Sequence, residues 1–381
     1  VGQVDVPPSV AALVYRLTDR DLAATWVAPD GRSEYRKLAR LAELLPSLDS
    51  LRDELADGMA LARGRVPRLR AFASGWGRRL LPPELLATPP DILVIVPHAV
   101  VHNVPLHLLT WDADPRPLGC RSGVTYVSSM SLFTRSAARN RGRAMPGPER
   151  TMAAGGTDVL TSRDGMFRAI PRMLSGLFAD QVRLLDERRP GLTRSAVKDA
   201  VHAEPDVLVL VAHGHLDPTT HQMSGLLVNP QGEVGWQSIA LRAGQLFEFR
   251  DLPLSPAPPL HSSARAEVLT TAELEIFTQL RSELVVLLAC SSGAGHLMAG
   301  DEPASIAETF LRLGAASVIA PMWDAGYEAS LEWVAAFFDE WLRQGRVKAV
   351  AARNATSRLR AELGDDHLER FGAFSIRGDF V

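Results

Sequence analysis

The sequence predicts an α/β fold, a mostly parallel sheet flanked by helices. Three observations carry this. Short runs that are apolar throughout, DILVIVP, DVLVLVA, ELVVLLA and AASVIAPMW, recur along the chain, and helical stretches lie between the later ones. Strands apolar on both sides belong in a parallel sheet whose two faces are covered, because a solvated face would show polar alternation. The third observation is size: 381 residues, 46% hydrophobic and 22% charged, bury a large core without disulfides or a structural metal.

The elements follow in order. LVYRLTDRDLAATWVAPDG, from residue 13, reads as two short strands around a polar turn, Thr18 to Asp21. Residues 35 to 78 predict helix, with Leu38, Leu41, Leu44 and Leu45 at helical spacing. Pro82, Pro83, Pro89 and Pro90 punctuate the approach to DILVIVP, a buried strand, and GVTYV at 123 to 127 is the next. SLFTRSAARNRGRA reads as a helix or arm, and the Gly/Pro/Arg-rich residues 140 to 150 as a linker. Beyond it, TMAAGG, QVRLL, DVLVLVAHG, ELVVLLACSSG and AASVIAPMW are strands, with helices at 193 to 202 and 303 to 313. Asp301 and Glu302 suit the start of the latter helix, where negative charge meets the dipole. YEASLEWVAAFFDEWLRQG is a long helix with Leu331, Val334, Ala335, Phe338 and Trp341 on one face, stopping at Gly345. Residues 241 to 270 carry Pro253, Pro256, Pro258 and Pro259 and no period, which marks a functional or mobile loop. DILVIVPH and DVLVLVAH echo each other, an echo that two strands under the same rules produce without duplication.

A net charge of −3 and a pI near 6.4 argue against a global nucleic-acid or polyanion binder. No run approaches the ~18 apolar residues of a membrane span, and VGQVDVPPSV has no secretory pattern. The first residue is Val, not Met, which leaves room for domains upstream. Two cysteines, Cys120 and Cys290, are too few for a disulfide framework or a thiolate metal site. A reducing, cytoplasmic setting with no metal and no cofactor is the expectation.

Chemistry collects at the carboxyl ends of parallel strands. DVLVLVA delivers His213 and Gly214 there; ELVVLLA delivers Cys290, then Ser291, Ser292 and Gly293. If the two strands are neighbours, an imidazole and a thiol share one edge, and the 77 residues between them (290 − 213) do not matter. A free thiol is only a few per cent thiolate near neutral pH, and a neighbouring His supplies the activation. The amides of Gly214 and Cys290 are the candidate oxyanion donors. Taken singly, Cys290 reads as a small core residue and His213 as a satisfied turn histidine; paired, with glycines after both, they read as chemistry. His215, His221 and His296 are rivals for the base, but only His213 sits where a strand should end.

Here the residues resemble a family. AHGH at 212 to 215, SGLLV, ELVVLLACSSGAG, GDEPASIAETFLRLGAASVIAPMW and the long helix look like a CHAT-domain protease, of the caspase–separase group of cysteine peptidases. DILVIVPHAVVHNVPLHLLTW, RPLGCRSGVTYVSSMSLF and the terminal FGAFSIRGDF extend the likeness to roughly residues 85 to 381. The resemblance implies a caspase-like sheet with His213 and Cys290 as the catalytic dyad. It implies a non-catalytic N-terminal half, residues 1–145, before a catalytic half, residues 150–381. Cys120 falls where it expects no functional residue, and His98 stands where the family often carries a charged or other polar residue, which does not single it out for function. In separase-like enzymes an acidic residue near PMWDAGYEAS receives a basic P1 side chain, which points to Asp324; the competing reading is that Asp324 N-caps the next helix. The implied function is a regulated endopeptidase acting on a protein substrate in defence or cell death, under an upstream sensor, repeat domain or regulatory protein, with neither nucleic acid nor membrane as partner. Two other classes are weighed against it. A non-catalytic caspase-like scaffold conflicts with the intact His/Cys pair. A nucleotide-binding enzyme conflicts with the spacing after GAG at 293 to 295, where GxGxxG would need glycine in place of Met298.

Overall fold

A computed structural model describes residues 10–111, 115–129, 151–157, 167–178, 181–185, 192–215, 217, 221–229, 238–240, 265–276, 280–289, 292–293, 296–298 and 302–381. Seventeen strands are present among them. In chain order these are β1 (Val10–Leu17), β2 (Asp21–Val27), β3 (Ser33–Arg40), β4 (Ile92–Val96), β5 (Gly123–Tyr126), β6 (Met152–Gly156), β7 (Val182–Leu184), β8 (Val207–Val211) and β9 (His213–His215). They continue with β10 (Gly225–Val228), β11 (Ser238–Ala240), β12 (Arg265–Thr270), β13 (Leu284–Leu288), β14 (His296–Met298), β15 (Glu302–Ala304), β16 (Ser317–Pro321) and β17 (Phe374–Gly378).

Eleven strands make one sheet in the order β3-β2-β1-β4-β5-β17-β16-β13-β8-β6-β7. It holds two parallel blocks. β1, β4, β5 and β17 run one way; β16, β13, β8, β6 and β7 run the other, with β17 and β16 antiparallel at the junction. Strands such as β4, β8 and β13 are buried on both sides, as their unbroken apolar sequence requires.

The pleat sorts alternate residues into two cores. Val207, Val209 and Val211 of β8, with Leu284, Val286 and Leu288 of β13, join the core that includes Trp323, Trp333, Phe337 and Phe338. Leu208, Leu210, Ala212, Val285, Leu287 and Ala289 join the opposite core. Helices Arg194–His202 and Ile306–Leu313 cover that second face with Val197, Ala200, Val201, Ile306 and Phe310.

Several expectations need correction. Residues 35 to 40 are strand, not helix: β3 lies against β2 at the sheet edge, and the helix begins at Leu41. Its Glu34, Arg36 and Lys37 are charges suited to an exposed edge strand, so helical leucine spacing is misleading there. The helix expected from 303 starts at Ile306, because Ser305 accepts the Glu308 N–H and residues 302–304 form β15 beside β14. The long helix spans Tyr327–Phe338, continues as a wider turn to Arg343, and ends before Gly345, whose φ is +65°. Its deepest side chains include Trp333 and Phe337, outside the expected stripe, because the helix is packed on more than one side. The expected arm at 131–144, the linker at 140–150 and most of the 241–270 loop lie outside the described residues.

Candidate active site

Five parallel strands ending on one edge build the site. β8 and β13 pair in unbroken register from Val207 opposite Leu284 to Val211 opposite Leu288. The last rung is the Ala212 N–H donating to the Leu288 carbonyl at 3.2 Å. The chain then leaves the large sheet, and β9 turns to pair with β10, His213 opposite Leu227 and Gly214 opposite Leu226. His213 is therefore the second residue beyond β8, at the carboxyl edge, and half-buried.

Phe167 forms the wall behind this imidazole. The ring centroids of Phe167 and His213 lie 4.8 Å apart with the planes at 45°. Such closeness depends on Gly156 at the end of β6, where a Cβ would stand 2.1 Å from the Phe167 carbonyl oxygen. Phe167 went unnoticed in the sequence because its partner is set by tertiary packing.

Cys290 itself lies outside the described residues. Along the chain it is the second residue beyond β13, as His213 is beyond β8. Its flanks are fixed. Ala289 is buried and its carbonyl accepts the Ser292 N–H at 3.0 Å. The Ser292 carbonyl accepts the Ala307 N–H at 3.1 Å, and the Gly293 N–H donates to Pro321 at 2.9 Å. The Gly293 carbonyl accepts from the Arg377 guanidinium at 2.5 Å. Arg377 also pairs with Glu308 at 3.2 Å, and both side chains are almost fully buried.

Asp324 follows Met322 and Trp323 at the exit of β16, the strand beside β13, and so stands on the same edge, half-buried. It does not N-cap the next helix. Its Oδ1 accepts the Gly326 N–H at 2.8 Å, and Gly326, with φ +77°, occupies the cap position. Of the rival histidines, His215 shares β9 with His213, two residues further on and opposite Gly225, and the other two are placed differently. His221 is buried with its ring 3.4 Å from the Thr309 hydroxyl, while His296 lies in β14. His98 accepts the Leu17 N–H at 3.4 Å beyond β4. Because the block containing β4 runs opposite to that of β8, the echo between their sequences puts His98 and His213 on opposite edges of the sheet. Cys120 lies in the short helix Leu118–Arg121 before β5, three strands from β13 in the sheet order, and burial pushes its thiol pKa up. Among the described residues no group of three or more His, Cys, Asp or Glu is disposed to hold a metal ion, and no helix is long and apolar enough to cross a membrane.

The sequence profile of the CHAT domain matches residues 72–377, about four-fifths of the chain. The chain belongs to the CHAT-domain family. No curated protein matches it in sequence. Two crystal structures of the Saccharomyces cerevisiae separase–securin complex resemble this CHAT domain at TM-scores of 0.59 and 0.60, with 11% identity. Each match covers 97% of this chain and 30% of the separase chain, so the likeness shows the fold, which is caspase-like. The Arg-specific cysteine proteinase gingipain R matches at a TM-score of 0.46 with 13% identity, over 82% of this chain and 67% of that one; a score that low carries no argument.

Proposed function

We propose that this CHAT domain is a cysteine endopeptidase in which His213 and Cys290 form the catalytic dyad. The observation that carries the reading is the common register of β8 and β13, with each candidate residue two positions past a paired strand end. His213 takes the thiol proton, the sulfur attacks the scissile carbonyl, and the imidazolium returns the proton to the leaving amine. Water then hydrolyses the thioester, with His213 again as base. The amides of Gly214 and Cys290 stabilise the oxyanion in both steps. The wall of Phe167 supports the reading, since a base needs a fixed ring.

Asp324 is the proposed receptor for a basic P1 side chain. Its Oδ1 is engaged by Gly326, and its place on the edge beside β13 supports the role. The N-terminal residues 1–145 serve as a non-catalytic half supporting residues 150–381. Segment 241–270, whose last six residues are β12 rather than loop, gates the cleft or is itself cut, with Arg250 and Arg265, the first residue of β12, as candidate sites. Separase is seen with a protein partner, and a regulatory protein or an upstream sensor or repeat domain is proposed here, in a cytoplasmic defence or cell-death response. The test is peptide-library cleavage by wild type and Cys290→Ala. Loss of cleavage with retained folding is expected; retained cleavage overturns the assignment.

A further inference from the structure

We propose that Arg377, held by Glu308, is a positioning residue for the Cys290 thiol; this rests on the His213–Cys290 reading above. Four backbone groups follow Cys290 and Ser291 along the chain: the N–H and carbonyl of Ser292 and of Gly293. Three are fixed by backbone partners, namely Ala289, Ala307 and Pro321. The fourth, the Gly293 carbonyl, is fixed by a charged side chain from the C-terminal strand β17. Cys290 is tied by chain continuity to Ala289 on one side and, through Ser291, to Ser292 on the other. A device that fixes Gly293 therefore acts on the sulfur.

Sheet stability does not account for that device. Arg377 of β17 is 3% exposed and Glu308, in the helix Ile306–Leu313 over that face, 5%; Phe374 and Ile376 belong to the opposite, apolar face of the strand. Burying an ion pair costs desolvation that its attraction barely recovers, and an apolar pair of similar volume often serves a fold as well or better. What such a pair does supply is a fixed geometry. Glu308 is itself immobilised, since its N–H donates to Ser305 Oγ at 3.1 Å in the first turn of its helix and Ser128 Oγ lies 3.4 Å from its carboxylate. The planar guanidinium spans carboxylate and carbonyl at once, which an ammonium on a flexible stem does not. Ser292 Oγ, fully buried and with no hydrogen-bond partner among the described residues, adds no anchor of its own. The clamp on this limb of the turn is thus Glu308–Arg377–Gly293.

The test measures iodoacetamide alkylation of each cysteine against pH by mass spectrometry, in wild type, Arg377→Lys, the double variant Arg377→Met/Glu308→Leu, and His213→Ala. Cys120, outside the site, is the internal reference. The double variant is expected to unfold cooperatively near the wild-type temperature. In it, and in Arg377→Lys, Cys290 should lose its low-pH reactivity, by about tenfold or more for a displacement near 1 Å, with the Cys120 rate unchanged. A wild-type Cys290 profile in both variants overturns the proposal. So does an equal change at both cysteines, and so does failure of both variants to fold, which assigns the pair to stability. If His213→Ala keeps the wild-type Cys290 profile, the dyad reading fails first and takes this proposal with it.

Discussion

Gly156→Ala tests the link between packing and chemistry. The new Cβ would stand 2.1 Å from the Phe167 carbonyl oxygen, 2.7 Å from its carbonyl carbon and 3.3 Å from Val211 Cβ. Non-bonded heavy atoms rest at roughly 3.2 Å or more, so Phe167 must retreat by about 1 Å. Its ring, 4.8 Å from that of His213, moves with it. Overpacking of this kind costs about 1–3 kcal/mol. At about 2.1 cal/mol/K per residue, unfolding 381 residues carries about 0.8 kcal/mol/K, so Tm should fall by about 1–4 °C. A base displaced by about 1 Å should lose on the order of 100-fold in kcat. Calorimetry and steady-state peptide cleavage read the two effects separately. Gly58→Ala is the control, since nothing lies within 4 Å of its Cβ. A Gly156→Ala variant with wild-type Tm and kcat would refute the reasoning.

Other outcomes are equally specific. The Glu54 carboxylate accepts the Arg68 N–H at 3.0 Å and the Leu69 N–H at 2.7 Å, so Glu54→Ala should cost about 1–3 kcal/mol in urea unfolding, partly restored in Glu54→Gln. His107 is buried between the Tyr126 hydroxyl and the Gly372 carbonyl, and burial lowers its pKa from 6.5 to about 4. The unfolded chain then binds the extra proton between those values, so this contribution is full above pH 6.5 and is lost as pH falls towards 4, by about 3 kcal/mol. His107→Gln should remove that component from the pH dependence of Tm; an unchanged slope contradicts it. Asp324→Ala should abolish any preference for Arg or Lys at P1 in a peptide-library profile while leaving Tm near wild type, because Gly326 occupies the cap position of the next helix; an unchanged profile dismisses the pocket.

The sheet was legible wherever a strand is buried on both faces. DILVIVP, DVLVLVA, ELVVLLA and AASVIAPMW became β4, β8, β13 and β16, since burial on both sides leaves an unbroken apolar sequence. The edge was not. In β3 the exposed SEYRK lets the leucines after it dominate the pattern. Nor could a sequence show that β17 joins two blocks of opposite direction, which is what separates His98 from His213. His213 was visible as a strand-end residue followed by glycine. Arg377 left a faint signal, a basic residue two positions before Asp379 at the end of the apolar FGAFSI run, but its partners Glu308 and Gly293 lie 69 and 84 residues away. Phe167 left none.

The central claim is that one imidazole at this sheet edge makes one sulfur nucleophilic. Covalent labelling with an arginyl peptide acyloxymethyl ketone, mapped by mass spectrometry, tests it most directly. The account predicts a single adduct on Cys290 that disappears in His213→Ala. An adduct elsewhere, or one on Cys290 that forms equally fast without His213, would contradict it.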